Sequence, residues 1–139
     1  PGVQNHQAAR LGKINLDRLK YIPQGGNWTN IPYDLLPAGM KKARPTDHTK
    51  RYGRPRWDSL SSTILTKCDP HWGAFFHPDQ DRTFTVREAA RVQSFPDSYV
   101  FTGSLVDQYA QVGNAVPPLL GEVVGRSIRE SIFLDSRGE

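Results

Sequence analysis

The amino-acid sequence predicts an α+β fold, with a small β-rich region in residues 1–85 and helices after it. Nine of the 11 prolines lie at or before Pro96, so the first part of the chain is divided into short segments. Residues 85–88 have the spacing of a helix start, and the end of the chain carries apolar side chains four positions apart. Short segments followed by two helical patterns are typical of a small domain of mixed structure.

Length and composition narrow the class of protein before any motif is considered. The chain has 139 residues, which is the length of one compact domain or less. Its single cysteine excludes a disulfide framework and a zinc site built from several cysteines. No run of 18 or more apolar residues occurs, so we expect no membrane partner. No charged leader followed by an apolar stretch opens the sequence, so we expect a cytoplasmic protein.

A β-hairpin is predicted near the middle of the chain. Leu60–Thr66 has Thr63 and Ile64 at its centre, and these β-branched side chains favour a strand. The Asp69-Pro70 pair is typical of a turn, and Gly73–Phe76 would be the second strand. The first 20 residues are polar and weakly patterned, and they allow either a short helix or a loose arm.

A helix is predicted over Val86–Gln93. Thr85 and Glu88 have the spacing of a capping box, in which each side chain binds a backbone N–H of the other residue. The helix should end at residues 94–97, because Pro96 disfavours helical geometry in the residue before it. We expect this helix to be a scaffold, with no part in chemistry.

The last helix is predicted to begin near Pro117, because proline fits the first helical position. Two glycines within it, Gly121 and Gly125, indicate either a surface that approaches another backbone closely or tolerated surface positions. Its apolar stripe consists of Leu120, Val123, Val124, Ile128 and Ile132.

Positive charge is concentrated in residues 39–56. This segment holds seven Lys or Arg residues and one Asp, while the whole chain has a net charge of only +4, so the remainder is net negative. A basic cluster of this kind is typical of binding to the phosphates of duplex DNA, although a solvated loop has the same composition. The predicted DNA-binding residues are Lys41, Lys42, Arg44, Lys50, Arg51, Arg54 and Arg56.

Two long segments resemble motifs of a known family. Residues 82–97, Arg-Thr-Phe-Thr-Val-Arg-Glu-Ala-Ala-Arg-Val-Gln-Ser-Phe-Pro-Asp, and residues 111–118, Gln-Val-Gly-Asn-Ala-Val-Pro-Pro, resemble the ninth and tenth motifs of DNA cytosine-5 methyltransferases. Residues 22–28, Ile-Pro-Gln-Gly-Gly-Asn-Trp, resemble the start of the target-recognition region in one branch of that family. Thr63-Ile64 stands where the family has a Thr followed by an aliphatic residue. The resemblance covers about residues 20 to 130.

The catalytic motifs of the family are missing from this sequence. It has no Pro-Cys nucleophile, no Gly-rich cofactor loop, no Glu-Asn-Val run and no Arg-x-Arg after such a run. Cys68 follows Lys67, so it does not match the nucleophile motif, and we predict no catalytic residue in this chain. The spacing of Cys68, His71, His77 and Asp79 matches no strong zinc pattern, so we predict no metal site.

The resemblance implies that the chain is the C-terminal part of a bacterial methyltransferase, inactive without a catalytic partner that carries motifs I to VIII. It divides the chain into a target-recognition region (1–85), a hinge with the ninth-motif helix (86–113), and the tenth motif with the last helix (114–139). That helix would dock on a separate, Rossmann-like catalytic domain. A separate subunit of a divided enzyme of the AquI type is favoured over an excised piece or a truncated gene.

The resemblance also implies ligands. S-adenosylmethionine would be shared with the partner and would lie against Asn114 and Ala115. Thr63 and Ile64 would join the basic residues in binding double-stranded DNA, in a restriction-modification system of the bacterial cytoplasm, associated with the nucleoid when bound. The rivals are a sequence-specific DNA-binding module without a catalytic partner, and a general basic scaffold protein.

Overall fold

A computed structural model of the protein describes residues 2–135, with side chains up to residue 132. The α-helices of this range are α1 (Lys13–Leu19), α2 (Val86–Val92), α3 (Leu105–Asn114) and α4 (Pro118–Asp135), and two short 3-10 helices span Trp28–Asn30 and Tyr33–Leu35. Of the two alternatives for the first 20 residues, the short helix is therefore present. Within residues 2–135, no helix is both long enough and apolar enough to cross a bilayer.

The prediction of an α+β fold with a β-rich region in residues 1–85 is wrong. From residue 2 onward this region holds two isolated β-bridges, Ala8 with Thr85 and Phe76 with Thr83, and no sheet. Proline has no N–H group to donate to a neighbouring strand, and the Pro and Gly residues of this region favour turns instead. The region is consequently a series of turns and short helices, and apart from the two bridges the regular secondary structure of residues 2–135 is helical.

The segment predicted as a strand, Leu60–Thr66, crosses the domain without pairing. Within the described chain, none of its main-chain N–H or C=O groups bonds another main-chain group. The expected partner segment pairs elsewhere, because Phe76 donates to Gly53 O (3.2 Å) and Phe75 O accepts from Phe84 N (2.8 Å). High β-propensity expresses a good fit to a half-buried surface. Ile64 achieves that fit against the hydrophobic core, so no second strand is required.

Helix α2 forms as its sequence predicts. The Thr85 hydroxyl accepts from Glu88 N (3.1 Å), and Glu88 Oε2 accepts from Thr85 N (2.8 Å), which completes the capping box. The helix ends one residue earlier than predicted, and Ser94 then takes a left-handed conformation with φ of 62°. This reversal turns the chain into the loop before α3.

Arg87 of α2 is fully buried and organises the chain around it. Its guanidinium donates to the carbonyl oxygens of Gln4 (3.0 Å), Pro96 (3.1 Å) and Tyr99, and it lies over the ring of Phe101. A planar cation with several donors can bind several carbonyls at once, which a lysine cannot do. Helix α2, which carries the ninth motif, therefore holds the N-terminal segment around Gln4 and the loop that follows α2 in place, as a scaffold would.

Two hydrophobic clusters meet at neighbouring residues, because Phe75 belongs to the first cluster and Phe76 to the second. The first draws residues from both sides of the predicted boundary at 85, and the division into three parts stays a prediction. The first cluster is Ile64, Cys68, Phe75, Phe84, Val86, Ala89, Ala90, Phe101, Tyr109 and Val112. The second is Leu19, Ile22, Trp28, Ile31, Met40, Tyr52 and Phe76.

Helix α3 was not predicted, and it forms part of the first cluster. Gly103, in the left-handed region with φ of 90°, leads into a capping box between Ser104 and Asp107. Tyr109 and Val112 then face the core, and α3 packs against α2. The tenth-motif segment therefore begins inside a helix whose packing fixes its position.

Helix α4 begins at Pro118, one residue after the predicted start. Its first turn is tied to the domain by a hydrogen bond from Leu119 N to the Ser94 hydroxyl (3.2 Å). From residue 119 to residue 132 every side chain is exposed, the predicted apolar stripe included. Among the described residues, nothing lies within 4 Å of a Cβ built on Gly121 or Gly125.

Candidate nucleic-acid interface

The backbone joins the two segments that were singled out for DNA recognition. Gly25 N donates to Arg54 O (2.7 Å), and Arg54 N donates in return to Gly26 O (3.0 Å). Further along, Trp28 N donates to Arg51 O (3.1 Å), and the Trp28 indole donates to Asp47 O. These hydrogen bonds of residues 25–28, the start of the recognition region, support the basic segment of residues 39–56. That segment therefore has a defined shape without regular strands.

The seven basic residues fall into four groups, of which the two largest are exposed. Lys41, Lys42 and Lys50 are exposed, and no carboxylate lies within salt-bridge distance of them in the described chain. Arg44 and Arg56 are exposed but pair with Asp47 (3.5 Å) and Asp58 (2.8 Å). Exposed pairs of this kind contribute about 0–1 kcal/mol, so both guanidinium groups can exchange these partners for phosphates.

Arg54 differs from the others because its guanidinium is buried. It donates to the carbonyl oxygens of His77 (3.2 Å) and Pro78 (3.1 Å), and it pairs with Asp81 (3.1 Å). These contacts tie the basic segment to residues 77–81. The predicted contact between Arg54 and DNA stays a prediction, but the position of this side chain assigns it to support of the loop.

Arg51 contacts Trp72, an aromatic residue that the sequence did not single out. Its guanidinium lies 4.9 Å from the centroid of the Trp72 ring, and Trp72 is 56% exposed. A cation over an indole face is a favourable arrangement and holds both groups at the surface. In the sequence, the indole beside the basic cluster is Trp57, next to Arg56, whereas Trp72 lies 16 residues after Arg56, so only the tertiary structure brings Trp72 to this cluster.

Trp72 lies between the two sets of predicted DNA-binding residues. One shallow cavity is lined by Trp72 together with residues 48–51, and a second is lined by Trp72 with residues 63–67 and Gly113. Thr63 is exposed in the second cavity, whereas Ile64 is only 4% exposed and packs in the core. The structure therefore brings Lys50, Arg51 and Thr63 to one surface around Trp72. Ile64 packs in the core beneath this surface and holds the segment in place.

The two residues predicted to meet the cofactor lie where α3 ends. Asn114 is the last residue of α3 and is exposed, and Ala115 caps the helix in an extended conformation and is half-buried. Within the described chain, the Asn114 amide has no hydrogen-bond partner, and neither residue lines one of the cavities described above. The end of α3 thus presents the polar Asn114 side chain to solvent, beside the small Ala115.

Cys68 does not have the properties of a nucleophile. It is 4% exposed, and burial raises the pKa of its thiol to about 12. The thiolate is the reactive form, so it is nearly absent at neutral pH. In the described part of the chain, no three His, Cys, Asp or Glu side chains are grouped so that they could hold a metal ion.

Comparison with known proteins identifies the family of this chain. The family described as C-5 cytosine-specific DNA methylase matches residues 5–130, which is most of the chain. The chain belongs to this family. The family match includes all the residues of the surface around Trp72 and those at the end of α3.

Individual methylases and methyltransferases are similar to much of this chain. The Type II methylase M.HgiDII of Herpetosiphon aurantiacus is 41% identical over 143 residues, which cover 99% of this chain and 40% of that protein. DNA (cytosine-5)-methyltransferase 3 of Arabidopsis thaliana is 38% identical, with 95% and 10% covered. The Type II methyltransferase M.AgeI of Thalassovita gelatinovora is 49% identical over 82 residues, with 59% and 19% covered. The chain therefore spans two fifths or less of the length of these relatives.

Proposed function

We propose that this chain is the DNA-recognition part of a DNA (cytosine-5)-methyltransferase and that it also completes the cofactor pocket. The complete enzyme would transfer a methyl group to carbon 5 of cytosine in a specific duplex sequence, in a restriction-modification system. The family match supports this chemistry. One observation carries the proposal that a catalytic partner is needed. It is the exposed apolar face of α4, in a chain that spans 40% of a Type II relative.

The surface around Trp72 would bind the duplex. Lys50 on this surface is available for phosphates, and the exposed Lys41 and Lys42 of the same basic segment would add phosphate contacts beyond it. Neutralising phosphates releases counterions, which is the main sequence-independent source of affinity. Arg51 has the forked donors that read guanine in the major groove, and a bidentate contact is worth about 1–3 kcal/mol of discrimination. Thr63 would lie near the opened base, as the family pattern implies.

Opening the duplex is the step this surface has to support. An enzyme that modifies a base rotates it out of the stack at a cost of a few kcal/mol. Base–aromatic stacking returns about 1–3 kcal/mol, and Trp72 is an exposed ring placed beside Thr63 in the same cavity. The DNA contacts of this chain would therefore offset the cost of exposing the target cytosine.

The end of α3 fits one side of an S-adenosylmethionine site. The Asn114 amide has a donor and an acceptor available, and the small Ala115 leaves room for a ring or a ribose beside it. The chemistry that the cofactor supplies when bound is an electrophilic methyl group. Asn114 and Ala115 would bind and orient the nucleoside portion, and the rest of the pocket would come from the catalytic part.

The nucleophile would come from outside this chain. Covalent catalysis needs a thiolate that adds to the cytosine ring, and Cys68 is buried with a raised pKa. The catalytic part would bury the apolar face of α4 when it brings that thiolate to the pocket. Full burial of a Val, Leu or Ile side chain contributes about 1.5–3 kcal/mol, so several together suffice for stable docking.

Complementation tests this proposal. The chain alone should transfer no methyl groups from S-adenosylmethionine to a pool of random-sequence duplexes, and addition of the polypeptide with the Pro-Cys nucleophile should start the reaction. Replacing Leu120, Val124 and Ile128 together by Asp should weaken association with that polypeptide at least about 100-fold, because buried unpaired carboxylates are costly. DNA binding by the chain should remain.

The matched control for α4 is the double variant Glu122→Ala and Arg129→Ala. These residues are exposed on the opposite side of the helix from Leu120, so association should stay within about twofold. Methylation by the chain alone would refute the missing-nucleophile argument. Unchanged association of the triple Asp variant would refute the docking role of α4. Sequence-specific binding that no catalytic polypeptide converts to methylation would favour the rival, a DNA-binding module without a partner.

A second test addresses the DNA surface. Lys50→Ala should weaken binding of the duplex pool and lower the salt dependence by about one counterion, since it removes one phosphate contact. Trp72→Ala should lower methylation by the complete enzyme about 5- to 150-fold, the equivalent of about 1–3 kcal/mol of stacking. Lys13→Ala removes an exposed lysine from α1 and should change neither. An equal loss in the Lys13 variant would show that net charge alone drives binding.

A further inference from the structure

Gly113 allows α3 to touch the recognition segment backbone to backbone. A Cβ atom built on Gly113 would lie 2.4 Å from the carbonyl carbon and oxygen of Leu65 and 2.4 Å from Thr66 N. Ordinary contacts between such atoms begin at 3.4 Å, so any side chain would force the two segments apart by about 1 Å or more. The contact is with the main chain, so no change of rotamer can relieve it.

Both sides of this contact are held by buried groups. On α3, Val112 is fully buried, and its carbonyl accepts from the Gln93 amide at the end of α2 (3.0 Å). On the recognition segment, Ile64 is buried in the same hydrophobic cluster as Val112. Close-packed interiors transmit displacement and do not absorb it. A shift at one side of the contact is therefore passed to the other.

Each of the two segments in this contact carries, close in sequence, a residue that would bind a ligand. Asn114 follows Gly113 in the chain and would face S-adenosylmethionine. Thr63 lies two positions before Leu65, and it lines the same cavity as Gly113 and Trp72, where DNA would bind. The path from the cofactor side to the DNA side is thus a single backbone contact.

We propose that Gly113 is a positioning residue that couples cofactor binding to DNA recognition by holding the end of α3 against Leu65–Thr66. This inference rests on the proposed function, because it takes the cofactor to lie at Asn114 and DNA at Thr63. Coupling of this kind is reciprocal, so each ligand strengthens binding of the other by the same factor. Gly113 has no side chain with which to bind either ligand, so in this scheme it acts through its neighbours Asn114 and Leu65.

The test uses the complete enzyme that contains this chain, and a duplex that the wild-type enzyme methylates. The affinity for that duplex is measured with and without S-adenosylhomocysteine, and the methylation rate is measured alongside. In the Gly113→Ala variant, the rate should fall about 100-fold, as expected for a displacement of about 1 Å near the reacting groups. The gain in DNA affinity caused by S-adenosylhomocysteine should fall towards one, whereas loss of fold alone would leave that ratio unchanged among the folded molecules.

Gly12→Ala is the matched control. It adds the same methyl group at an exposed glycine where nothing lies within 4 Å, so both readouts should stay within twofold of wild type. A Gly113→Ala enzyme with wild-type rate and wild-type coupling would overturn the inference. If instead no duplex is found that the wild-type enzyme methylates, the proposed function itself fails, and the inference fails with it.

A measurement on the wild-type enzyme removes any dependence on the folding of the variant. Addition of S-adenosylhomocysteine, without DNA, should shift the backbone amide NMR resonances of residues 63–67, because the cofactor fixes the end of α3 against this segment. Resonances that shift elsewhere in the enzyme but stay unchanged in residues 63–67 would overturn the coupling role of Gly113 while leaving the proposed function intact.

Discussion

Helices α2 and α4 both carry apolar side chains at helical spacing, but the domain buries only the apolar face of α2. In α2, Val86, Ala89 and Ala90 are fully buried against the first cluster. In α4, Leu120 and Ile128 remain about half exposed, as do the other large apolar side chains that the structure describes there. A periodic apolar pattern thus predicts that a helix face is built to be covered, and it does not tell which polypeptide covers it.

The difference extends to the charged residues of the two helices. Arg87 of α2 is fully buried and bonded to three carbonyl groups, so its loss would leave several acceptors without a partner. Arg126 of α4 is exposed, and among the side chains described up to residue 132 it pairs with Glu122 alone, one turn away on the same helix. Helix α2 therefore stabilises this domain, whereas α4 contributes little to its stability.

The largest expected effect on stability follows from Arg87. Arg87→Ala should lower the free energy of unfolding of the chain by about 3–5 kcal/mol, because it removes a buried cation and strands the carbonyl groups that it binds. Chemical denaturation with urea, followed by far-ultraviolet circular dichroism, measures this change.

Matched variants turn this prediction into a test of the comparison. Arg91→Ala, on the exposed side of α2, removes a solvent-screened pair with Asp97 and should leave the free energy of unfolding nearly unchanged. Ile128→Ala on α4 should change the stability of the isolated chain by no more than about 0.5 kcal/mol. A cost at Ile128 equal to that at Arg87 would show that α4 already packs on this domain.

A smaller, pH-dependent effect concerns Glu88 at the start of α2. Burial by itself would raise the pKa of Glu88, but hydrogen bonds from Arg82 (2.6 and 2.7 Å) and from Thr85 N outweigh burial and lower this pKa to about 2. A carboxyl group with a depressed pKa in the folded state stabilises the fold above its ordinary value of 4.5. That contribution is lost as the pH falls from about 4.5 to about 2.

The variant Glu88→Gln isolates this contribution. It should be less stable than wild type at pH 6, and the difference should shrink as the pH is lowered towards 2, because wild type alone loses the ionised carboxylate. Urea denaturation at pH 6, 4 and 3 measures the difference. A difference that stays constant over this range would show that Glu88 acts through packing and not through its charge.

Helix α3 shows a local signal that sequence analysis could have used. Ser104 and Asp107 have the spacing of a capping box, and Leu105, Tyr109 and Val112 follow at helical intervals. The Gln111–Pro118 motif overlaps the end of this helix, and its Gly-Asn pair reads as a turn. In the structure, Gly113 is helical and makes its close contact with another segment, which no local pattern indicates.

The sequence by itself determined the start of α2, the apolar stripe of α4 and the membership of the family, since caps, helical periodicity and long motifs are local properties of the chain. Only the tertiary structure decided that Leu60–Thr66 has no strand partner, that Arg54 is buried, and that Trp72 brings Arg51 and Thr63 to one surface. These outcomes depend on which distant segments meet. The free energy of such contacts is set by burial and close packing, which a linear pattern does not contain.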